Sequence, residues 1–204
     1  MTDEEIGNLF EKDSSDAAPA LIGKIISYDG RKIRITETEA YGDNDPFCYG
    51  VRYGRTENNS VSFCKGGKVF IYADMLMFTT GKECGKPQNV LIRQAEYSDG
   101  NKGIISGPGK LLAYLEPSKE KRKKLNGEWI GEEIKIENDA TSVPGVKEGK
   151  RIGVAKNESV INNYIKHHCC LWNCPMDKKN EDYRAEVEKI VDIYSEIEWR
   201  FTKQ

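Results

Sequence analysis

Three features that would narrow function quickly are missing from this 204-residue sequence. One is net charge. Charged residues make up 31% of the chain, yet 31 Lys and Arg against 33 Asp and Glu leave a formal charge of −2. Bulk electrostatics therefore advertise no polyanionic partner, and any nucleic-acid contact must come from a local patch. Another is a long apolar run. No stretch approaches membrane-spanning length, and MTDEEIGNLFEKDSSDAAPA at the start is acidic and polar, with neither a basic n-region nor an apolar h-region. The expected location is the cytoplasm of a bacterium or the nucleus of a eukaryote, with no membrane partner. The third is the CxxC or CxxxxC pair of most structural zinc sites. Cys48, Cys64 and Cys84 are scattered, while Cys169, Cys170 and Cys174 cluster in HHCCLWNCP beside His167 and His168. Neighbouring thiols cannot easily point at one ion, so free thiols in incidental packing are preferred to zinc, and neither metal nor organic cofactor is expected. With no internal repeat or low-complexity segment, 204 residues at 38% apolar content read as one domain and a monomer.

What is present is a chain of short periodic segments. Asp3 to Lys12 suggests an acidic helix, and Ala17 to Ile26 a helix running into a strand. Lys32 to Tyr41 alternates as a strand does, and GDNDP (Gly42 to Pro46) is a turn. Gly66 and Gly67 precede KVFIYADMLMFTT, a run of hairpin character ending at Gly81, and Asn89 to Ala95 is a further strand. SGPGKLLAYL, Ser106 to Leu115, is a loop feeding a helix N-terminus. KEKRKK, Lys119 to Lys124, reads as a solvated helix face, with a phosphate-contacting edge as the sharper alternative. Asn126 and Gly127 mark a turn, IGEEIKIEN and RIGVAK (Arg151 to Lys156) read as strands, and Tyr183 to Phe201 carries the one-sided apolar pattern of an amphipathic helix. Together these give an α+β domain. The expected division is an acidic segment over 1–16, the domain proper over 17–168, and a Cys-containing loop with a C-terminal helix packed on the domain over 169–204.

ITETEAYG (Ile35 to Gly42) with DNDP, then YGRT, KVFIY, VLIRQAE, SGPGKL, a distant Asn-Gly and finally RIGV resemble, in order and approximate spacing, the alkyladenine or 3-methyladenine DNA glycosylase family. The match runs from Ile33 to Val154. It implies a curved, largely antiparallel sheet, a partly open barrel or roll, with peripheral helices. It also implies an enzyme that flips a damaged purine from double-stranded DNA and hydrolyses its N-glycosidic bond in base-excision repair, without lyase activity. Glu39 falls on the family's water-activating carboxylate, a residue type suited to an oxocarbenium-like transition state. A cationic alkylated base leaves neutral, so one carboxylate suffices. Glu37, two residues back on the same face, is taken as supporting or structural. Arg93 matches the arginine that helps position water and pocket. Tyr41 and Tyr72 match aromatic walls for the flipped base, where ordinary strand packing is the plain alternative.

The sequence departs from the family at several of its DNA-facing places. Tyr49 stands where the family has a base-contacting histidine, and Thr56-Glu57-Asn58-Asn59 replaces Thr-Pro-Arg-Asn. Met75 stands at the minor-groove wedge, normally tyrosine, and Thr80 to Lys82 contains no guanine-rejecting asparagine. Arg55, Thr56, Lys82 and Lys110 complete the expected DNA contacts. Two rival classes accompany this reading: a non-catalytic lesion-binding protein, and a hydrolase of a nucleoside-type small molecule on the same fold.

Overall fold

The structure, a computed structural model, describes residues 1–116, 118–139, 145–168 and 181–204. Helix α1 (Asp3–Phe10) starts where Thr2 and Glu5 cap one another reciprocally, and it buries Ile6, Leu9 and Phe10. Helix α2 (Ser14–Ala20) brings Ala17 and Ala18, both fully buried, against the sheet. Strands β1 (Ile25–Tyr28) and β2 (Arg31–Tyr41) form a hairpin whose turn residues, Asp29 and Gly30, both have positive φ. After α3 (Tyr49–Tyr53) and a 3₁₀ helix (Glu57–Phe63) comes a second tight hairpin, β3 (Val69–Tyr72) with β4 (Met75–Thr79). Its tip, Ala73 and Asp74, also has positive φ, at 47° and 58°.

Strands β5 (Asn89–Tyr97) and β6 (Ile104–Ser106) follow, then α4 (Pro108–Leu115), α5 (Lys119–Leu125), β7 (Lys135–Glu137) and β8 (Val146–Gly149). The chain continues through α6 (Glu158–His168) and α7 (Glu181–Glu196) to β9 (Arg200–Lys203). Nine strands among the described residues make one curved sheet that does not close, in the order β3-β4-β5-β2-β1-β7, with β6 beside β5 and β9 joining β2 to β8. All pairings are antiparallel. The expected α+β fold is what forms.

What positions the site is an irregularity at the centre of the sheet. Between β2 and β5 the register steps from Ile35 opposite Ala95 to Glu37 opposite Gln94, then to Thr38 opposite Ile92. Thr36 and Arg93 are each left out of the ladder, as at a β-bulge. Before the step Ile33 and Ile35 enter the main core; after it Ala40 does, and Thr38 donates to the Ala18 carbonyl of α2 at 2.9 Å. The extra residue changes the phase of the alternation. Glu37, Glu39 and Tyr41 consequently point to the other side, where Phe70, Met77 and Leu91 form a small apolar cluster against which Tyr41, Tyr72 and Met75 pack.

Two segments differ from their sequence pattern. Arg151 to Lys156 is a turn, not a strand: Gly153 adopts φ +77° and the Arg151 side chain is buried. The C-terminal helix stops at Glu196, and Arg200–Lys203 becomes a strand. The backbone of Glu37 to Glu39 needs hydrogen-bonding partners on the edge that β1 leaves open, and β9 supplies them. Helices α3 and α6 and the 3₁₀ helix were not anticipated from the pattern. α6 and α7 share a satellite core of Val51, Val160, Ile161, Tyr164, Val187 and Val191. In α5, Arg122 is buried and pairs with Asp74 at 2.7 Å, so the basic run is only partly a solvated face; Lys119, Lys121, Lys123 and Lys124 are exposed. The Cys169, Cys170 and Cys174 cluster lies outside the described residues.

Candidate active site

Glu39 has no exposed surface. Its Oε1 accepts a hydrogen bond from the Ile152 backbone N–H at 2.7 Å, and its Oε2 accepts one from the Tyr41 hydroxyl at 3.0 Å. Arg93 Nη1 lies 3.5 Å from the same Oε2, while Arg93 Nε faces Glu37 Oε1 at 3.4 Å, so one guanidinium serves both carboxylates. Burial pushes the Glu39 carboxyl above the usual carboxylate range, opposed by the Ile152 N–H, Arg93, the Tyr41 hydroxyl and Arg151. A carboxylate made more basic and still held by donors is well suited to taking a proton from water. Burial, and then the Glu39 charge, keep Tyr41 protonated far above neutral pH, which fixes its hydroxyl as the donor.

Arg151, which the strand reading of RIGVAK passed over, is the second organising residue. Its guanidinium forms an ion pair with the fully buried Asp45 through Nη1 and, at 3.2 Å, through Nη2. It also donates to the carbonyls of Ala40 and Tyr194, each at 3.0 Å. The rings of Tyr41, Phe47 and Trp199 surround it at 4.8, 5.6 and 5.4 Å. An arginine beside a glycine turn, with an acid in DNDP, was the available signal.

The aromatic residues form a second group. Tyr49 opens α3 and lies against Tyr72 with ring centroids 4.2 Å apart, and against Tyr53 at 4.5 Å. Gly50 lets α3 pack closely on Pro87, because a Cβ there would come within 2.4 Å of the Pro87 side chain. The neighbouring Cys48 is fully enclosed, and burial pushes its thiol up to about 12, which leaves it an inert packing group. Met75 pairs with Tyr72 across the hairpin and packs with Tyr72 and Tyr41 on the same small cluster. The structure thus brings together Glu39, Arg93, Tyr41, Tyr72 and Met75, with Tyr49 in contact through Tyr72.

The other expected DNA contacts are spread around this centre. Arg55 and Thr56 are exposed beyond α3; Arg55 lies over Phe63, and Thr56 caps the 3₁₀ helix together with Asn59. Lys110 is exposed in the first turn of α4, next to Gly109, which approaches the Asp74 carbonyl at the hairpin tip. Lys82 lies at the opposite end of that hairpin from Met75, in a charged cleft of about 600 Å³ that also includes Asn8, Lys12 and Lys86. Among the described residues no group of three or more His, Cys, Asp or Glu side chains could hold a metal ion, and no helix is long and apolar enough to cross a membrane.

Comparison with known proteins adds a family likeness to this geometry. A family model described as methylpurine-DNA glycosylase matches residues 8–169. Among relatives provisionally named 3-methyladenine DNA glycosylase, one from Rickettsia felis is 36% identical over 112 residues, covering 52% of this chain and 62% of the relative. One from Anaeromyxobacter dehalogenans is 34% identical over 155 residues, covering 71% and 73% of the two chains. One from Wolbachia pipientis is 29% identical over 185 residues, covering 86% and 96%. The alignment to the Rickettsia felis protein therefore spans less than two thirds of that relative's length, whereas that to the Wolbachia protein spans nearly all of it.

Proposed function

The chain belongs to the methylpurine-DNA glycosylase family, and on that footing we propose that it removes alkylated purines from duplex DNA by hydrolysing the N-glycosidic bond. The observation that carries the reading is Glu39: a buried carboxylate on a central strand, with one oxygen held by a backbone N–H and the other facing a tyrosine hydroxyl and an arginine. In this mechanism Glu39 takes a proton from a water molecule as the water's oxygen bonds to the anomeric carbon. The bond to the base nitrogen breaks, its electron pair departs with the base, and a cationic alkylpurine leaves as a neutral molecule. The negative carboxylate also stabilises the positive charge that develops on the sugar. Arg93 keeps Glu39 ionised against its burial and, through Glu37, fixes its own place.

Tyr41, Tyr49 and Tyr72 supply π faces for a base extruded from the stack. The rings of Tyr49 and Tyr72 touch in the free protein, so they can act together as one wall, with Tyr41 packed on the same apolar cluster as Tyr72. On this reading Met75, at the start of β4 beside the hairpin tip, fills the space the base vacates. Arg55, Thr56 and Lys110 then serve as phosphate contacts around the lesion, and Lys82 as a more distant one. The test is base release from a methylated duplex by the wild type and by Glu39→Gln. Release by the wild type, and its loss in the variant with duplex binding retained, is the expected result. Equal release by both would remove Glu39 from the chemistry. Tight lesion binding without release by the wild type would favour a lesion-binding protein.

A further inference from the structure

We propose that Arg151 is a positioning residue: its clamp on Asp45 and on the Ala40 and Tyr194 carbonyls holds the Ile152 N–H on Glu39 Oε1, and so aims the other carboxylate oxygen. This rests on reading Glu39 as the base. Three observations lead to it. First, the N–H that fixes Oε1 belongs to a residue that cannot anchor itself. Ile152 is 47% exposed and the next residue is Gly153 at positive φ, so its own side chain does not fix this backbone, and the β8–β9 pairing ends three residues before it, at Gly149. Directly before Ile152 is a side chain that is almost completely enclosed, bonded to three separate segments and ringed by Tyr41, Phe47 and Trp199. Second, the clamp grips Glu39's own strand. Ala40 is the next residue, Tyr41 is another of Glu39's hydrogen-bond donors, and Asp45 lies in the turn that follows. Third, a buried ion pair is a poor means of stabilising a core compared with apolar residues of the same volume, so its contribution is to geometry.

The charged and titratable groups facing Glu39 are Glu37 and Tyr41 on its own strand, Arg93 on β5, Arg200 opposite it on β9, and Arg151 with Asp45 from the turns. Of these, Arg151 itself belongs to the segment that carries the Ile152 N–H and Asp45 grips it there, while Arg200 pairs with Gly149, three residues before Ile152. Weakening the pair loosens that donor and leaves Arg93, held by Glu37, in place.

The experiment uses Arg151→Lys and Asp45→Asn in the full chain. Three quantities are followed: single-turnover base release from a methylated duplex against pH, binding of that duplex, and titration of the Glu39 carboxyl carbon by NMR in the free protein. Asp45→Asn keeps the proposal testable should Arg151→Lys fail to fold. Release should fall about 100-fold, the scale of a misaligned reacting group, with duplex binding kept. Glu39 should titrate at higher pH than in the wild type, because it has lost a donor that favours its charged form. Unchanged release would overturn the proposal. So would release that falls only in step with the folded fraction while the Glu39 titration stays where it was. Should the wild type release no base, the glycosylase reading falls and the titration still decides the clamp: a shifted Glu39 supports it, an unmoved one overturns it.

Discussion

The two faces of the central strands share one backbone and meet opposite demands. On one, Ile33, Ile35, Val90 and Ile92 have no exposed surface and belong to a single apolar cluster. On the other, the same two strands present Glu37, Glu39, Tyr41 and Arg93. Fully burying an aliphatic side chain is worth about 1.5–3 kcal/mol, whereas burying a carboxylate opposes folding unless partners offset its lost hydration. The apolar face therefore holds the strands in place, and the charged face relies on it for a rigid mount.

The sharpest way to break the comparison is Glu39→Gln, which keeps size, removes the basic oxygen and puts a donating NH2 where one oxygen accepted. Base release should fall by about 10²- to 10⁴-fold, measured under single-turnover conditions. The counterpart on the other face is Phe78→Ala, which empties a fully buried site beside Phe10. It should cost about 3–5 kcal/mol in denaturant unfolding and leave release per folded molecule intact. Loss of release without loss of stability there would erase the distinction between the faces. Tyr41→Phe should slow release roughly tenfold, the worth of a hydrogen bond to a charged group. It should also move the acid limb of the rate profile to higher pH, because the hydroxyl favours ionised Glu39.

The smallest effect concerns stability itself. Glu39's folded-state pKa lies above its unfolded value, so the folded protein binds the proton more tightly; the stability this confers is present below the unfolded pKa and is lost as pH rises through the folded one. Glu39→Gln cannot titrate at this position, so the stability difference between variant and wild type, read from urea midpoints, should move in the variant's favour as pH rises from the acid range to neutrality. A difference that does not change with pH would mean that Arg93 and the other donors fully offset the burial.

How far this division could be read from the residues varies along the chain. The alternation of Lys32 to Tyr41 placed Glu37 and Glu39 together, and the motif order singled out Glu39, Tyr41, Tyr72 and Arg93, which the structure brings together on one side of the sheet. The bulge at Thr36 left no mark in the pattern, because Thr36 and Thr38 suit a strand at either phase. Arg151 went unnoticed because Ile152 and Val154 imitate a strand and its partner Asp45 is 106 residues away. Helix α6 was legible after the fact: Val160, Ile161, Tyr164 and Ile165 fall at helical spacing, and the Asn157 side chain accepts from the Val160 N–H. The strand β9 was absorbed into the helix pattern because Phe201 continues α7's apolar stripe, and the unpaired edge that claims it lies on β2, far back in the chain.

The late arrival of β9 matters for biosynthesis. Its partner segment, Glu37 to Glu39, is made 163 residues before Arg200 (200 − 37), so at ordinary elongation rates that edge waits roughly 8–30 s for its mate. An open strand edge is a template for pairing with a neighbouring chain, and charged side chains are one of the means by which such edges are guarded. Two carboxylates two residues apart occupy this one. The side chain proposed to activate water also acts, with Glu37 beside it, as a gatekeeper on the nascent chain, so the glutamine substitution that removes the basic oxygen also removes part of the chain's protection while it is being made.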